Sequence, residues 1–516
     1  MKVKKSSIYY TVLLILIFIV QCSIRFTISN IISALICVIT SWIAILYLKK
    51  IWKRGYFLSS IPILGGVVGT QFGPLFFQTL SLNSVDFNLR LPILTFLYTG
   101  IFLLTLIIGH FLYTNSIYTN RIKSTIQNGY NRLGLYEDMP IAVAIGLTGL
   151  SFYSIYFKVA NDVQIGDAGG KFLEIFMVFT VIPLAYFVQQ IQNKKSSQTK
   201  NFIILGIYFI LLVALGLFKN SRGTFATFAL SSIIFIIYFF YTNRLIFTKK
   251  IFYITCIVIF PLILFFKLLT AVSGAIILAR GERKDINGME FLKISYEYFK
   301  DIYLGNIDEY GVNVNVVENM DSYNELYLYN DFLSRLITVK FSDNILYYSS
   351  FLSINDYYKV NVFYIEKSIA LLPQQILDII NLGYQKSNYL FYSYGDWIYS
   401  LSQGGGLGGF KVGSIVGSGI NLFGIWFFII TIIISPYFFA FIDSLNKNNK
   451  TQGGDSKNTV ISVMGVLVFY KLFLLANSDS IMTLISFLLR EFWQTLLIYI
   501  LFLNSYKFFK KILRIN

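Results

Sequence analysis

Charge is scarce in this chain. Asp, Glu, Lys and Arg make up 13% of its 516 residues, where a soluble domain carries about 25%. Histidine occurs once, as His110, which excludes a multi-histidine metal centre. The three cysteines, Cys22, Cys37 and Cys256, sit inside apolar runs without a C-x-x-C spacing, so neither a disulfide framework nor a zinc ribbon is expected. Gly404–Gly409 is glycine-rich but lacks the Lys-Ser/Thr ending of a phosphate-binding P-loop. In place of these features, 56% of the residues are apolar and 18% aromatic, with 50 Phe and 37 Tyr. The mean hydropathy is +0.64. Such a balance excludes a soluble enzyme and a disordered chain, and leaves an integral membrane protein.

Runs of about 20 apolar residues mark membrane spans. Twelve are expected, near 8–27, 29–48, 57–80, 91–113, 139–157, 172–190, 202–218, 224–241, 251–270, 412–442, 459–475 and 483–504. The first follows Met1-Lys2-Val3-Lys4-Lys5 without a small-x-small cleavage site and reads as an uncleaved span. The tenth is long and contains Pro436, so a tilt or kink is expected. With both termini inside, the inner segments hold 23 Lys/Arg and the short outer loops 6. This is the bias of the positive-inside rule, and it assigns most of the formal net charge of +17 to topology rather than to a nucleic-acid ligand.

Three regions follow: spans one to nine over 1–270, an external domain over 271–411, and spans ten to twelve over 412–516. The external segment carries 11 Lys/Arg, 16 Asp/Glu and 17 of the tyrosines, a net charge of −5 against +22 for the rest. At 141 residues it is too long for a simple connector. Asp331–Leu352 and Ile365–Ile380 have helical apolar spacing and are expected to form amphipathic helices on the membrane or over the bundle. Tyr-rich polar surfaces suit sugar faces or the lipid headgroup zone alike.

Glycines recur every four residues at Gly405, Gly409, Gly413 and Gly417, and at Gly65, Gly69 and Gly73. Close helix packing is the expected use. Ionisable groups at span ends are costly and often functional. Lys219 and Arg222 lie in Lys219-Asn220-Ser221-Arg222-Gly223-Thr224, where N–H groups and a guanidinium meet at the outer start of span eight, an anion site by chemistry. Arg280 and Arg283 lie just past span nine, Lys471 near the outer end of span eleven, and Arg490 and Glu491 in span twelve. An ion pair to another helix is the structural alternative for the last two. His110, near the inner end of span four, is expected to be a packed or interfacial histidine rather than a catalyst.

Twelve spans, the Ser221-Arg222-Gly223 motif opening a mid-chain helix, one large external loop, and Gly408–Gly424 ending Gly419-Ile420-Asn421-Leu422-Phe423-Gly424 together resemble the Wzy-type polysaccharide repeat-unit polymerases. The resemblance implies an all-α polytopic fold of the GT-C-like kind. It also implies a metal-independent glycosyltransferase, without cofactor, in the bacterial plasma membrane. Such an enzyme joins undecaprenyl-pyrophosphate-linked oligosaccharide repeats at the outer face into O-antigen or capsule, with a flippase and a chain-length regulator as partners. Pyrophosphate would meet Arg222, Arg280, Arg283, Arg490 and Lys219. Asp396, Glu282 and Glu309 are the candidate bases, with Asp308 beside them. Asp396 ranks first for its aromatic neighbours in Tyr394-Gly395-Asp396-Trp397. Val416-Gly417-Ser418-Gly419 stands where the resemblance implies an acidic residue, so that position supplies no base.

Three alternatives remain. A scaffold or sensor of a wall-synthesis complex would not need outward arginines at pyrophosphate depth. An O-antigen ligase has a similar architecture but uses a histidine in its external loop, and 271–411 has none. A lipid-linked oligosaccharide flippase would show repeated halves, and none is evident.

Overall fold

Inside a bilayer no water can meet backbone N–H and C=O groups, so apolar runs of this length close their own ladders as helices. The computed structural model describes residues 2–160, 175–192, 198–218, 222–241, 271, 274–275, 278–279, 288–304, 323–328, 331–372, 374–379, 392–409, 411–449 and 458–512. These are mostly helical. Five helices are long and apolar enough to cross a membrane: Ile28–Lys53, Phe57–Leu80, Pro92–Asn115, Trp426–Asp443 and Ile481–Ile512. Five shorter apolar stretches join them: Ile8–Ile24, Ile141–Tyr156, Met177–Gln192, Ile203–Gly216 and Ala226–Phe239. The protein is an all-α membrane protein in this sense. The expected ninth span lies outside the described residues.

In chain order the helices are α1 Lys2–Ile24, α2 Ile28–Lys53, α3 Phe57–Leu80, α4 Pro92–Asn115, α5 Ile117–Arg132, α6 Ile141–Ala160, α7 Ile182–Gln192, α8 Gln198–Phe218 and α9 Arg222–Tyr241. After them come α10 Gly288–Leu304, α11 Asp331–Leu336, α12 Val339–Ser349, α13 Ile354–Ala370, α14 Gln374–Ile379 and α15 Tyr394–Gln403. The remainder is α16 Ile415–Phe423, α17 Trp426–Asp443, strands β1 Asn446–Asn449 and β2 Asn458–Ile461, then α18 Val463–Leu467, α19 Phe469–Leu475 and α20 Ile481–Ile512. The two strands pair antiparallel, Asn446 opposite Ile461.

Met1–Arg244 and Thr338–Asn516 form one compact unit, and Leu245–Ile337 another. In the first, α17 packs along α4, α4 along α2, α2 against α1, and α19 against α3. Its aromatic core includes Phe102 stacked on Phe427 and Phe439 against His110. In the second, Arg335 lies 3.6 Å from Glu325.

Four elements depart from the sequence reading. The expected eleventh span, 459–475, divides among β2, α18 and α19. The expected tenth span is two helices, with Gly424 between α16 and α17 at φ +57°, a backbone shape that favours glycine. Pro436 lies within α17. The stretch expected to be one amphipathic helix at Ile365–Ile380 divides between the ends of α13 and α14. The connection left between the expected spans 91–113 and 139–157 is largely helix α5, amphipathic with Ile117 and Tyr118 exposed.

Candidate functional site

One end of the first unit is organised by a defect in α3. Residues Val67–Gln71 form a π turn, and the next turn contains Pro74, which has no N–H to give back to the ladder. The carbonyl of Gly69 instead accepts from Thr338 N at 3.0 Å, just before α12. A methyl at Gly69 would overlap the amide of Asn477. That amide donates to Gly65 O at 2.8 Å and accepts from the Thr338 hydroxyl at 3.1 Å. One bend in one helix thus anchors both α12 and the turn between α19 and α20. This fits the rule that irregular backbone at membrane depth must be enclosed by protein.

Asp343 of α12 is fully buried. Its carboxylate accepts from Arg90 N at 2.9 and 3.0 Å, Leu91 N at 2.7 Å and the Thr95 hydroxyl at 3.3 Å. These are donors at the N-terminus of α4, where the helix dipole favours an anion. Lys340 Nζ lies 3.2 Å from Asp343 and also donates to Asn88 O. Burial pulls the Lys340 pKa below its ordinary value against the opposing pull of Asp343. The Arg90 guanidinium donates to the Tyr348 hydroxyl at 3.0 Å and stands 4.3 Å from the Tyr347 ring centre and 5.1 Å from that of Tyr348, within cation–π range. Burial raises the Tyr348 pKa, and Arg90 opposes the rise.

Ser393 caps α15 by accepting from Asp396 N at 3.0 Å. Asp396 is fully buried. Its Oδ1 accepts from Lys411 N at 3.0 Å and lies 3.9 Å from Lys411 Nζ. The Lys411 ammonium stands 4.4 Å over the Tyr399 ring, and Tyr399 meets Tyr348 edge-on at 5.0 Å. Two cations, Arg90 and Lys411, are therefore connected through Tyr348 and Tyr399. Trp397 stacks on Phe363 at 4.5 Å, and the Tyr394 hydroxyl accepts from Asn421 at 2.7 Å. The aromatic neighbours of Asp396 are thus engaged in packing.

Asp479, in the turn before α20, accepts from Gly413 N at 2.6 Å. Burial pushes its carboxyl above the ordinary carboxylate range, against the lowering effects of Gly413 N–H and Lys367. Lys367 donates to Tyr392 O at 2.6 Å; burial lowers its pKa, opposed by Asp479 and Asp396. The half-helix α16 is held by Ile415 N donating to Ser478 O at 2.9 Å and by Ser418 Oγ accepting from Ile481 N at 3.2 Å. Gly417 presses on Ile345 of α12. Of Gly405, Gly409, Gly413 and Gly417, only Gly417 lies on a helix.

Helix α9 opens at Arg222, as the sequence reading has it. The side chain of Arg222, and Lys219, Arg280, Glu282, Arg283, Asp308 and Glu309, lie outside the described residues. Arg490 lies in the π turn Phe487–Glu491 of α20. Its neighbour Glu491 pairs with Lys471 at 2.8 Å, an ion pair between α19 and α20. Arg90, Asp343, Lys340, Lys367, Lys411 and Asp479 were not singled out from sequence. The usable signal was position: Arg90 and Asp479 each stand in a short connection between two apolar runs, one the charge count assigns to the outer side.

The opposite end is built differently. Lys123 of α5 pairs with buried Asp443, which also accepts from Tyr113 at 2.7 Å. His110 is fully buried, with Nδ1 2.7 Å from the Tyr47 hydroxyl and Nε2 3.0 Å from that of Ser59. It is a packed histidine, as expected. Among the described residues no group of His, Cys, Asp and Glu is arranged to hold a metal ion.

No protein-family model, curated protein or solved structure matches this chain.

Proposed function

We propose that the chain is a twelve-span polymerase of the Wzy type, with a GT-C-like fold and both termini cytoplasmic. It joins undecaprenyl-pyrophosphate-linked oligosaccharide repeats at the outer face of the plasma membrane without a metal or cofactor. The supporting observation is the pair of cations, Arg90 and Lys411, set among Tyr347, Tyr348 and Tyr399. It lies at the end of the bundle that the charge asymmetry puts outside. Arginine grips phosphate through paired hydrogen bonds, and tyrosine faces suit sugar rings.

In this reaction an acceptor hydroxyl attacks the anomeric carbon of the donor, and the bond from that carbon to the lipid pyrophosphate breaks. Negative charge develops on the departing pyrophosphate, and cations already in place stabilise it without reorganising. Arg90 and Lys411 fill that role, with Arg222, Arg280, Arg283, Arg490 and Lys219 as further contributors. The hydroxyl proton passes to a carboxylate. Asp479 suits this better than Asp396, whose carboxylate is enclosed and already paired with Lys411. Glu282 and Glu309 are the remaining candidates.

The test is polymerisation of lipid-linked repeat extracted from polymerase-deficient host cells by the purified protein. Arg90→Ala and Arg222→Ala should each cut long-chain product by about 10²-fold, the scale of losing one preorganised donor. A chelator should leave the wild-type rate unchanged. Wild-type chain lengths in both variants would remove the reading. The π turns in α3 and α20 favour a second one, a lipid-linked oligosaccharide transporter, since such bulges recur at functional sites. Movement of labelled lipid-linked repeat across vesicles without change in chain length would support it.

A further inference from the structure

At the end of the bundle away from Arg90, helix α5 and strand β1 enclose an open cavity of about 220 Å³ lined by Lys123, Gln127, Asn128, Asn131, Tyr136 and Lys447. A water takes about 30 Å³ of liquid, so the space fits a group of phosphate or glycerophosphate size. Its walls carry two ammonium groups, three carboxamides and a phenol. Lys123 gives one of its three protons to Asp443. Lys447 donates to Asn131 at 3.0 Å and stands 5.5 Å over the Tyr136 ring. Tyr136 in turn donates to Ser444 O, and Gln127 to Asn446 O at 2.6 Å. The loop is therefore pinned in place around the opening. Charges nearby cancel in pairs: Asp443 with Lys123, and Glu137 with Lys507 at 2.7 Å. Lys447 is left as the net positive charge of the lining.

We infer that this cavity is a binding site for a phosphate-bearing anion, separate from the Arg90 end. Ammonium and carboxamide donors converging on a small polar space match phosphate oxygens. Exposed Ile117 and Tyr118 on α5 put that helix at an apolar–water boundary, the depth of a lipid headgroup. A lipid phosphodiester and free phosphate share this chemistry, and the experiment separates them.

The purified full-length chain is reconstituted in phosphatidylcholine nanodiscs with or without phosphatidylglycerol, and retained lipid is read by native mass spectrometry. In parallel, inorganic phosphate is titrated against the detergent-solubilised protein by isothermal calorimetry. Lys447→Ala removes one charge-assisted donor and should weaken binding about tenfold. Lys447 is partly exposed and on the hairpin, so the variant keeps the fold. Lys510→Ala, an exposed lysine at the same end but outside the lining and its charge pairs, should bind as wild type. Phosphatidylglycerol retention lost in Lys447→Ala supports a headgroup site; phosphate binding alone, lost in the same variant, supports a soluble anion. No binding of either, or equal losses in Lys447→Ala and Lys510→Ala, overturns the inference.

Discussion

Asp343 draws together groups that lie far apart in the chain. Its partners Arg90, Leu91 and Thr95 come from about 250 positions earlier, and no local pattern announces such a partnership. This is why nothing in the sequence marks Arg90 beyond its place in a short connection between apolar runs. Asp396 was legible for its motif, yet its burial and its pairing with Lys411 depend on a loop whose path the motif does not encode. Asp479 carries the sharpest prediction at this scale. A base must be ionised, and burial raises this carboxyl above the ordinary value of about 4. Polymerisation should therefore fall on acidification along a limb centred above the usual carboxylate range. Asp479→Asn, which keeps an acceptor for Gly413 N–H, should be slow and lack that limb in a pH–rate profile. The same shift has a stability sign. The folded protein favours the protonated acid, so stability rises as pH falls from the raised value toward the ordinary one, and the Asn variant should lose that dependence in thermal unfolding.

Elements were legible wherever hydropathy decides them. Helices α2, α3 and α4 begin and end within a few residues of the expected spans, because twenty apolar residues in lipid have no other way to satisfy their backbone. Reading failed where tertiary contacts replace the ladder. The break at Gly424 was hidden because both half-helices are apolar. Helix α5 was hidden because its polar face dominates its composition. Glycine spacing was read as packing, and α3 bears this out: a methyl at Gly65 would run into the backbone carbonyl of Phe473, whereas nothing approaches the same position at Gly206 of α8. Gly65→Ala should lower stability by about 1–3 kcal/mol or more, the cost of overpacking. Gly206→Ala should be neutral or slightly stabilising. Thermal unfolding of both variants in one detergent measures the difference.

Across the whole molecule, the first unit has two unlike ends. At one, carboxylates Asp343, Asp396 and Asp479 fasten backbone amides and hold lysines and an arginine among tyrosines. At the other, among the described residues, the buried pair Lys123–Asp443 closes the bundle. The count of 23 inner against 6 outer basic residues is the basis on which the Arg90 end is expected outside. A reporter fused after Asn330 should be external and one after Lys450 internal; the reverse pattern would invert every functional assignment made for the Arg90 end. The carbonyl of Gly69, released by the bend before Pro74, sets an order of assembly. Ribosomes deliver α3 to the bilayer hundreds of residues before Thr338 and Asn477 exist to meet it. The nascent chain must hold this polar group in lipid meanwhile, at a cost of several kcal/mol. An insertase or chaperone that shelters early helices until translation is finished would be needed most by this one, and a truncated chain ending before Thr338 should be degraded for want of it.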